Sequence, residues 1–335
     1  MVTHTASTLS TGVCMTINTL RDRSKITSHN LFSKVLKALD ILKTECELIS
    51  EPTLSKRFTT MLLACLISIG PVIANTPQEK GLRIMKQVDA LPVIEKQLQQ
   101  VTLQIYDRQG KRVFTKKVRG ANYKTNFRDA DKRLVRSISY FYAPADDKGN
   151  GSLVVEVADG DDDQWIYLKG LRKPKRVIGS NKSSSFMGSD MSNGDMAPKN
   201  INDSNFIWLG SEKLTFKKKQ IPVEKIRVEF KRDQMKQDYG LNHSIIWVHV
   251  KSGLVFKAEQ YNLDKQLFKT TRLRSFKVFK NRDKKPVFQL TGSEVKSVLK
   301  GTKTIMKMSK IRTGKKAASV HAGIFKIEYL TRRWW

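Results

Sequence analysis

The chain has 335 residues, of which 39% are apolar, enough to bury a substantial core and to exclude an intrinsically disordered protein. Its formal net charge of +31 at pH 7 favours an anionic partner, either nucleic acid or a membrane surface. The first 74 residues hold eight Lys/Arg and five Asp/Glu, so 28 of these 31 charges belong to residues 75–335.

The apolar run from Met61 to Ala74 is typical of an export signal. It follows two basic residues, extends over 14 residues and ends on small or β-branched residues, which predicts cleavage between Ala74 and Asn75. It is shorter than the roughly 20 residues that cross a bilayer as a helix. We therefore interpret residues 56–74 as a cleavable signal peptide. A permanent membrane anchor and a lipoprotein signal ending at Cys65 are the alternatives.

Residues 1–55 have no place in an ordinary export signal, and we interpret them as a non-native or disordered extension that precedes the true start site. The alternative is a genuine cytoplasmic segment. All cysteines (Cys14, Cys46 and Cys65) precede the cleavage point, so the mature chain needs no disulfide. The sequence thus predicts a periplasmic protein. Because such a protein meets no chromosome, its charge suits anionic lipid head groups better than nucleic acid.

A helix is predicted at the start of the mature chain. Thr76-Pro77-Gln78-Glu79 combines an N-cap threonine, a proline at the first helical position and a capping-box glutamate. Apolar residues then recur at every third position until Pro92 ends the pattern. They predict a buried stripe of Leu82, Met85, Val88 and Leu91.

Beyond the helix the apolar period changes to two, which is typical of β-strands. Residues 101–105 and 113–118 flank a turn at 108–111 and predict a hairpin. Further strands are predicted over 134–142, 153–157, 164–168, 225–231, 244–250, 254–261 and 267–276. Since strands and helices do not alternate, we expect a single α+β, mainly β, domain over residues 75–335 with a meandering antiparallel sheet. A long polar loop is predicted over 180–204.

The mature sequence offers no recognisable motif for catalysis or metal binding. Asp161-Asp162-Asp163 lacks the spacing of a calcium loop and is typical of an acidic turn before a strand. His243 and His249 on one strand would lie about 20 Å apart, too far to bind one metal ion together. We therefore expect no catalytic residue, no metal and no cofactor.

Three short segments carry a resemblance to a known family. DDQWIYL, LRKPKRV and SFMGSDMSNGDM, all within residues 159–196, resemble the signature of the outer-membrane lipoprotein-sorting protein family. YFYAPADDKGNGSL, GLRIMKQVDA and the hairpin at 257–270 are similar to other parts of the same family. The resemblance covers about residues 77–276 and weakens beyond them. Lys169-Gly170 in place of Pro-Ala and the strongly basic composition depart from the family pattern, which leaves the cargo open.

The resemblance implies a strongly curved antiparallel sheet, an incomplete β-barrel, whose concave side is covered by helices and encloses an apolar cavity. It also implies a periplasmic carrier of lipid or lipoprotein acyl chains, with an inner-membrane exporter of the resistance-nodulation-division (RND) type as a partner. The alternative is an envelope-stress sensor that binds lipid and a protein partner without moving cargo. A nucleic-acid binder is a third hypothesis, supported by charge alone.

Three groups of side chains form the candidate site. The helix stripe and the strand faces supply the cavity candidates, for each of which ordinary core packing is the alternative: Met85, Val88, Val101, Leu103, Ile105, Trp165, Tyr167 and Trp247. Phe186 and Met187, in the long loop, are the candidates for a gate at the cavity entrance. The basic run of Arg172, Lys173, Lys175 and Arg176 is the candidate for docking on an anionic membrane surface, with a solvated face as the alternative.

Overall fold

The body of the protein is one antiparallel β-sheet. The computed structural model describes residues 76–129, 132–158, 160–332 and 334, and these belong to one compact unit. The predicted signal peptide, its cleavage point between Ala74 and Asn75, and the extension over residues 1–55 lie outside the described residues and stay predictions.

Thirteen strands are found in the described part of the chain. Their bounds are β1 Lys96–Tyr106, β2 Arg112–Thr125, β3 Leu134–Ala143, β4 Gly151–Val155, β5 Asp163–Leu168, β6 Lys173–Arg176, β7 Ser204–Phe216, β8 Lys219–Phe230, β9 His243–His249, β10 Leu254–Tyr261, β11 Leu267–Lys280, β12 Pro286–Ser297 and β13 Lys303–Thr313. Three α-helices accompany them there: α1 Pro77–Asp89, α2 Asn193–Met196 and α3 Asp233–Tyr239.

The strands lie in the order β6-β5-β4-β3-β2-β1-β13-β12-β11-β10-β9-β8-β7. The first and last strands are therefore neighbours in the middle of the sheet, and β6 and β7 form its two edges. The sheet is strongly curved but stays open between these edges, which is the geometry of an incomplete barrel. The predicted fold class, a mainly β protein with a curved antiparallel sheet, is confirmed.

Helix α1 begins as predicted, but its buried side includes only part of the predicted stripe. Thr76 Oγ1 accepts a hydrogen bond from the Glu79 amide at 3.2 Å, and the Thr76 amide donates to the Glu79 carboxylate at 2.9 Å. Ile84 is buried, whereas Leu82 is 39% exposed, so the predicted stripe is wrong at that position. A spacing of three residues drifts around a helix of 3.6 residues per turn, so the stripe could not stay on one side.

Helix α1 lies very close to β7 at Gly81. A Cβ atom there would be 2.5 Å from the carbonyl oxygen of Phe206. We expect Gly81→Ala to lower the free energy of unfolding by about 1–3 kcal/mol through overpacking, although alanine is the better helix former. Chemical denaturation measures this difference. Gly170→Ala is the control, because a Cβ there meets nothing within 4 Å; equal losses in the two variants would contradict the prediction.

The two faces of the sheet are covered by different parts of the chain. Directly paired residues of antiparallel strands point to the same side, so Val101, Val118 and Phe141 share one face, which we call the loop face. The opposite face, which we call the tail face, carries Ala121 and its neighbours. It packs against the C-terminal residues Ala317, Val320, Ile324, Phe325, Leu330 and Trp334.

The loop face continues across the whole sheet. Cross-strand pairs lead from Ile105 through Thr304, Val295, Thr271, Ala258 and Ile246 to Ile226. Helix α1 covers the β7–β9 part of this face through Ile84, which packs against Phe206, Ile226 and Val248. The middle of the face is covered by the segment that connects β6 to β7.

Candidate ligand-binding face

The segment between the two sheet edges, residues 177–203, is the strongest candidate for a functional element, and we call it the covering segment. It includes helix α2 and corresponds to the predicted long loop. Its Phe186 and Met191 are only 5% and 6% exposed. They pack against four side chains of the loop face: Leu103, Val118, Phe141 and Val295. The covering segment thus occupies the apolar middle of the loop face with its own side chains.

The contact between the covering segment and the loop face is rich in methionine. Met187 and Met196 of the segment and Met306 of β13 are half-buried around Phe186 and Met191. Methionine is unbranched and polarizable, so surfaces built from it repack readily around different apolar partners. The contact therefore has the composition of a surface that can exchange one apolar occupant for another.

A first polar tether fastens the covering segment to β13. The Asp190 carboxylate accepts hydrogen bonds from the hydroxyls of Thr302 and Thr304, the latter at 2.7 Å. The Asp190 amide donates to Thr304 Oγ1 at 2.9 Å. Thr304 is fully buried, so these bonds are shielded from water and hold the segment close to the turn between β12 and β13.

A second tether is an ion pair between α2 and β11. Lys269 Nζ lies 2.7 Å from Asp195 Oδ2, and the Lys269 side chain is 8% exposed. The same carboxylate accepts from the Ser192 amide at 2.8 Å, which closes the capping box of α2. Burial opposes the charge on Asp195, but the Lys269 ammonium outweighs it, so the pKa of Asp195 lies below its usual range.

A third tether connects the covering segment to β5. Gln164 is 2% exposed, and its Nε2 donates to the carbonyl oxygen of Asn193 at 2.7 Å. Asn193 Nδ2 in turn donates to the carbonyl of Asn181 at 2.9 Å, which joins two turns of the segment. Because β5 lies in one half of the sheet and β11 in the other, the tethers hold the segment across the middle.

A small polar cavity of about 30 Å³ lies where the covering segment meets α3; Asp162, Lys199 and Tyr239 are among its lining residues. Burial raises the pKa of Asp162 and of Tyr239, and it lowers the pKa of Lys199 to about 8. Lys199 is exposed to solvent as a whole residue, but its ammonium group points inward. Lys199 Nζ donates to the Gly194 carbonyl oxygen at 2.5 Å and lies 4.2 Å from the centre of the Tyr239 ring. The cavity holds about one water molecule at most.

A larger open cavity of about 390 Å³ lies beside the turn between β2 and β3. Its lining residues are Glu95, Tyr123, Lys124, Asn126, Phe127, Arg128, Asp129 and Lys132. Five of these eight are charged, and the small cavity is likewise polar. Neither of these two cavities is lined by the loop-face residues that Phe186 and Met191 contact. An acyl chain bound to those residues would therefore take the space that Phe186 and Met191 fill.

Five of the predicted cavity residues lie on the loop side of the molecule, in two places. Val101 and Leu103 are under the covering segment, and Ile105 is buried on the same face. Met85 and Val88 belong instead to the cluster that α1 forms with β7–β9. The structure therefore brings together the strand candidates but keeps the helix candidates apart from them.

The three aromatic candidates lie elsewhere. Trp165 and Tyr167 are on the tail face, where they pack against the cluster built by the C-terminal residues. Trp247 is 4% exposed in a further cluster, and its Nε1 donates to the Glu212 carboxylate at 2.8 Å. The structure does not bring these side chains to the covering segment.

The gate candidates and the basic run are placed differently from each other. The side chain of Phe186 is buried between the covering segment and the loop face, and that of Met187 is half-buried next to it. The basic run, residues 172–176, lies on the edge strand β6 and in the turn before it, with its four cationic side chains exposed. Arg176 pairs with Asp163 at 2.5 Å. Lys and Pro on an edge strand also prevent edge-to-edge pairing, which is the structural alternative to docking.

The residues that fasten the covering segment were not predicted. Ser192 and Asp195 have the spacing of a capping box, so α2 could have been recognised from a local signal. Asp190 and Lys269 had no such signal, because their partners lie on distant strands.

Within the described residues, His, Asp and Glu form no group of three or more that could hold a metal ion. No helix in this same part of the chain is long and apolar enough to cross a membrane.

A curved open sheet with a covering segment across one face defines a half-barrel protein. A family model described as "-like: Uncharacterized protein" matches residues 133–332, more than half of the chain, and the chain belongs to this family. A comparison with functionally curated proteins gives no match.

Solved structures share this fold. A DUF1329 family protein from Desulfovibrio piger has a TM-score of 0.66 at 22% identity, over 76% of this chain and 99% of that one. A domain named as an outer-membrane lipoprotein-sorting protein, from Vibrio parahaemolyticus, has the same TM-score and identity, over 76% of this chain and 100% of that one. A LolA superfamily protein from Nitrosomonas europaea has a TM-score of 0.51 at 16% identity, over 74% of this chain and 98% of that one. The resemblance to the lipoprotein-sorting family therefore extends to the fold.

Proposed function

We propose that this protein is a periplasmic carrier, and not an enzyme, that holds the acyl chains of a lipid or lipoprotein on the loop face. The observation that carries the proposal is the placement of Phe186 and Met191. They occupy an apolar, methionine-rich surface in the middle of a half-barrel, on a segment held by separate polar tethers. An acyl chain that displaces these two side chains would contact the same apolar residues of the loop face. The family relation supports this reading.

The free energy gained when an acyl chain is buried is similar in size to the free energy lost when the covering segment is displaced. About ten buried methylene groups would contribute about 8 kcal/mol. Against this, exposing Phe186 and Met191 costs about 1.5–3 kcal/mol each, and the tethers cost more. The gain and the cost nearly cancel, so the net affinity is at most modest. A carrier needs such an affinity, because it must release its cargo as well as hold it.

The partners follow from the same proposal. The predicted signal peptide would deliver the chain to the periplasm, and transfer of cargo would lead to the outer membrane. Arg172, Lys173, Lys175 and Arg176 would dock on an anionic membrane surface, at roughly 1 kcal/mol per basic residue near that surface. An inner-membrane exporter of the RND type would supply the cargo, and no nucleic acid is involved.

The proposal is tested on the exported protein. We expect protein from the periplasmic fraction of a Gram-negative host to have a mass that starts at Asn75 and to carry phospholipid or an acylated peptide in native mass spectrometry. An uncleaved chain that carries nucleic acid and no lipid would overturn the proposal. A protein that binds lipid but never passes it to acceptor vesicles would instead favour the envelope-stress sensor.

A further inference from the structure

Exposed apolar side chains collect at one end of the sheet. Val113 and Phe114, at the start of β2, are 44% and 57% exposed. Val298 and Leu299, in the turn between β12 and β13, are 40% and 62% exposed. The two regions touch, because Arg108 Nε donates to the Lys300 carbonyl oxygen at 2.8 Å. We call residues 107–114 and 298–303 together the lip.

The lip adjoins the place where the covering segment is fastened. Phe114 pairs with Ile105, so its ring stands on the loop face, but at the exposed end of that face. Thr302 belongs to the lip, and its hydroxyl donates to the carboxylate of Asp190, the first tether. The exposed apolar surface of the lip therefore lies next to the buried apolar surface under the covering segment.

The lip is also strongly basic. Its two stretches hold five Lys/Arg and one Asp. Apolar side chains flanked by cations match the interface of an anionic bilayer, where the apolar groups enter the acyl boundary and the cations meet phosphate groups. The four apolar side chains project from the start of a strand and from a turn, so they can enter a bilayer surface without moving the sheet. A lipid bilayer is thus the partner that fits both the shape and the charge of the lip.

We propose that the lip inserts Phe114 and Leu299 into the surface of a bilayer that contains anionic phospholipid, and that acyl chains pass between this bilayer and the loop face beside Asp190. The passage of acyl chains rests on the proposed carrier function, whereas the insertion does not. The lip is separate from the basic run on β6, so the two surfaces are distinguished by different variants.

The test is sedimentation of the exported protein with vesicles of phosphatidylcholine and phosphatidylglycerol in a 3:1 ratio. We expect the double variant Phe114→Ser with Leu299→Ser to lower the partition coefficient by about tenfold or more. The matched control is Leu82→Ser with Val278→Ser, which also removes two exposed apolar side chains, at 39% and 53% exposure, but outside the lip. The control should change partitioning by less than about twofold.

The possible results distinguish the insertion of the lip from the proposed carrier function. Partitioning of the lip variant equal to that of the wild type, or equal binding of the wild type to vesicles of phosphatidylcholine alone, would overturn the insertion proposal. Co-purified lipid is measured on the same samples by mass spectrometry. A wild-type protein that binds vesicles through the lip yet carries no lipid would leave the insertion standing and remove the carrier function.

Discussion

A disulfide between the covering segment and β13 is expected to stop lipid uptake. In the variant Asp190→Cys with Thr304→Cys, the new thiols replace groups that are 2.7 Å apart, from Asp190 Oδ2 to Thr304 Oγ1. The Asp190 amide lies 2.9 Å from the same Thr304 oxygen, so the backbone of residue 190 is close to the side chain of residue 304. A disulfide needs Cβ atoms about 3.5–4.5 Å apart, and its formation is checked by titration of free thiols. The native cysteines of the full chain are replaced by serine. Titration with a fluorescent fatty-acid analogue should show at least about tenfold weaker binding when the disulfide is formed, since a fixed segment cannot yield its space.

The control for this experiment is a disulfide that leaves the covering segment free. Ser139 and Ser152 lie on neighbouring strands, with their hydroxyl oxygens 2.7 Å apart. Ser139→Cys with Ser152→Cys should bind the fatty-acid analogue alike in the oxidised and reduced states. Reduction should restore binding only in the variant at positions 190 and 304. If oxidised and reduced forms of that variant bind equally well, the ligand does not replace the covering segment and the loop face is not the site.

The parts of the fold that the sequence predicted well are those with local signals. The capping box of α1 lies within four residues, and the hairpin of β1 and β2 needs only alternation around a turn. Strands β12 and β13 were missed because their burial patterns are irregular and their pairing with distant strands decides their conformation. The central place of β1 beside β13 likewise depends on contacts between the two ends of the described chain.

The candidate site shows where alternation stops being informative. A period of two assigns Trp165 and Leu103 to a face of their own strand, but it does not say which face of the sheet the covering segment will occupy. The structure places Trp165 on the tail face and Leu103 on the loop face. Similarly, the polarity of residues 180–204 predicted a loop. The same polarity did not indicate that Phe186 would be buried, because the residues that contact Phe186 belong to four separate strands.

Removal of Lys269 is expected to loosen the covering segment. Lys269→Met leaves the carboxylate of Asp195 without its cation in a largely buried position, and breaking such a pair costs about 3–5 kcal/mol. Hydrogen exchange measures the loosening of the covering segment at the Phe186 and Asn193 amides, which donate to the carbonyl oxygens of Met191 and Ser184. Both amides should exchange much faster in the variant. The double variant Lys269→Met with Asp195→Asn should regain part of the protection, because the unpaired charge is gone while the Ser192 amide keeps an acceptor.

The pH dependence gives an independent check on the same ion pair. The pKa of Asp195 is lower in the folded protein than in the unfolded chain, so the pair contributes its full stability above the usual aspartate range of about 4 and loses it as the pH falls through the folded pKa. Protection of the Phe186 amide in the wild type should therefore decrease on acidification, and this decrease should be absent in the double variant. Equal acid sensitivity in the two proteins would mean that another carboxylate governs opening. A loosened segment should also exchange the fatty-acid analogue faster, since cargo can enter only where Phe186 and Met191 leave.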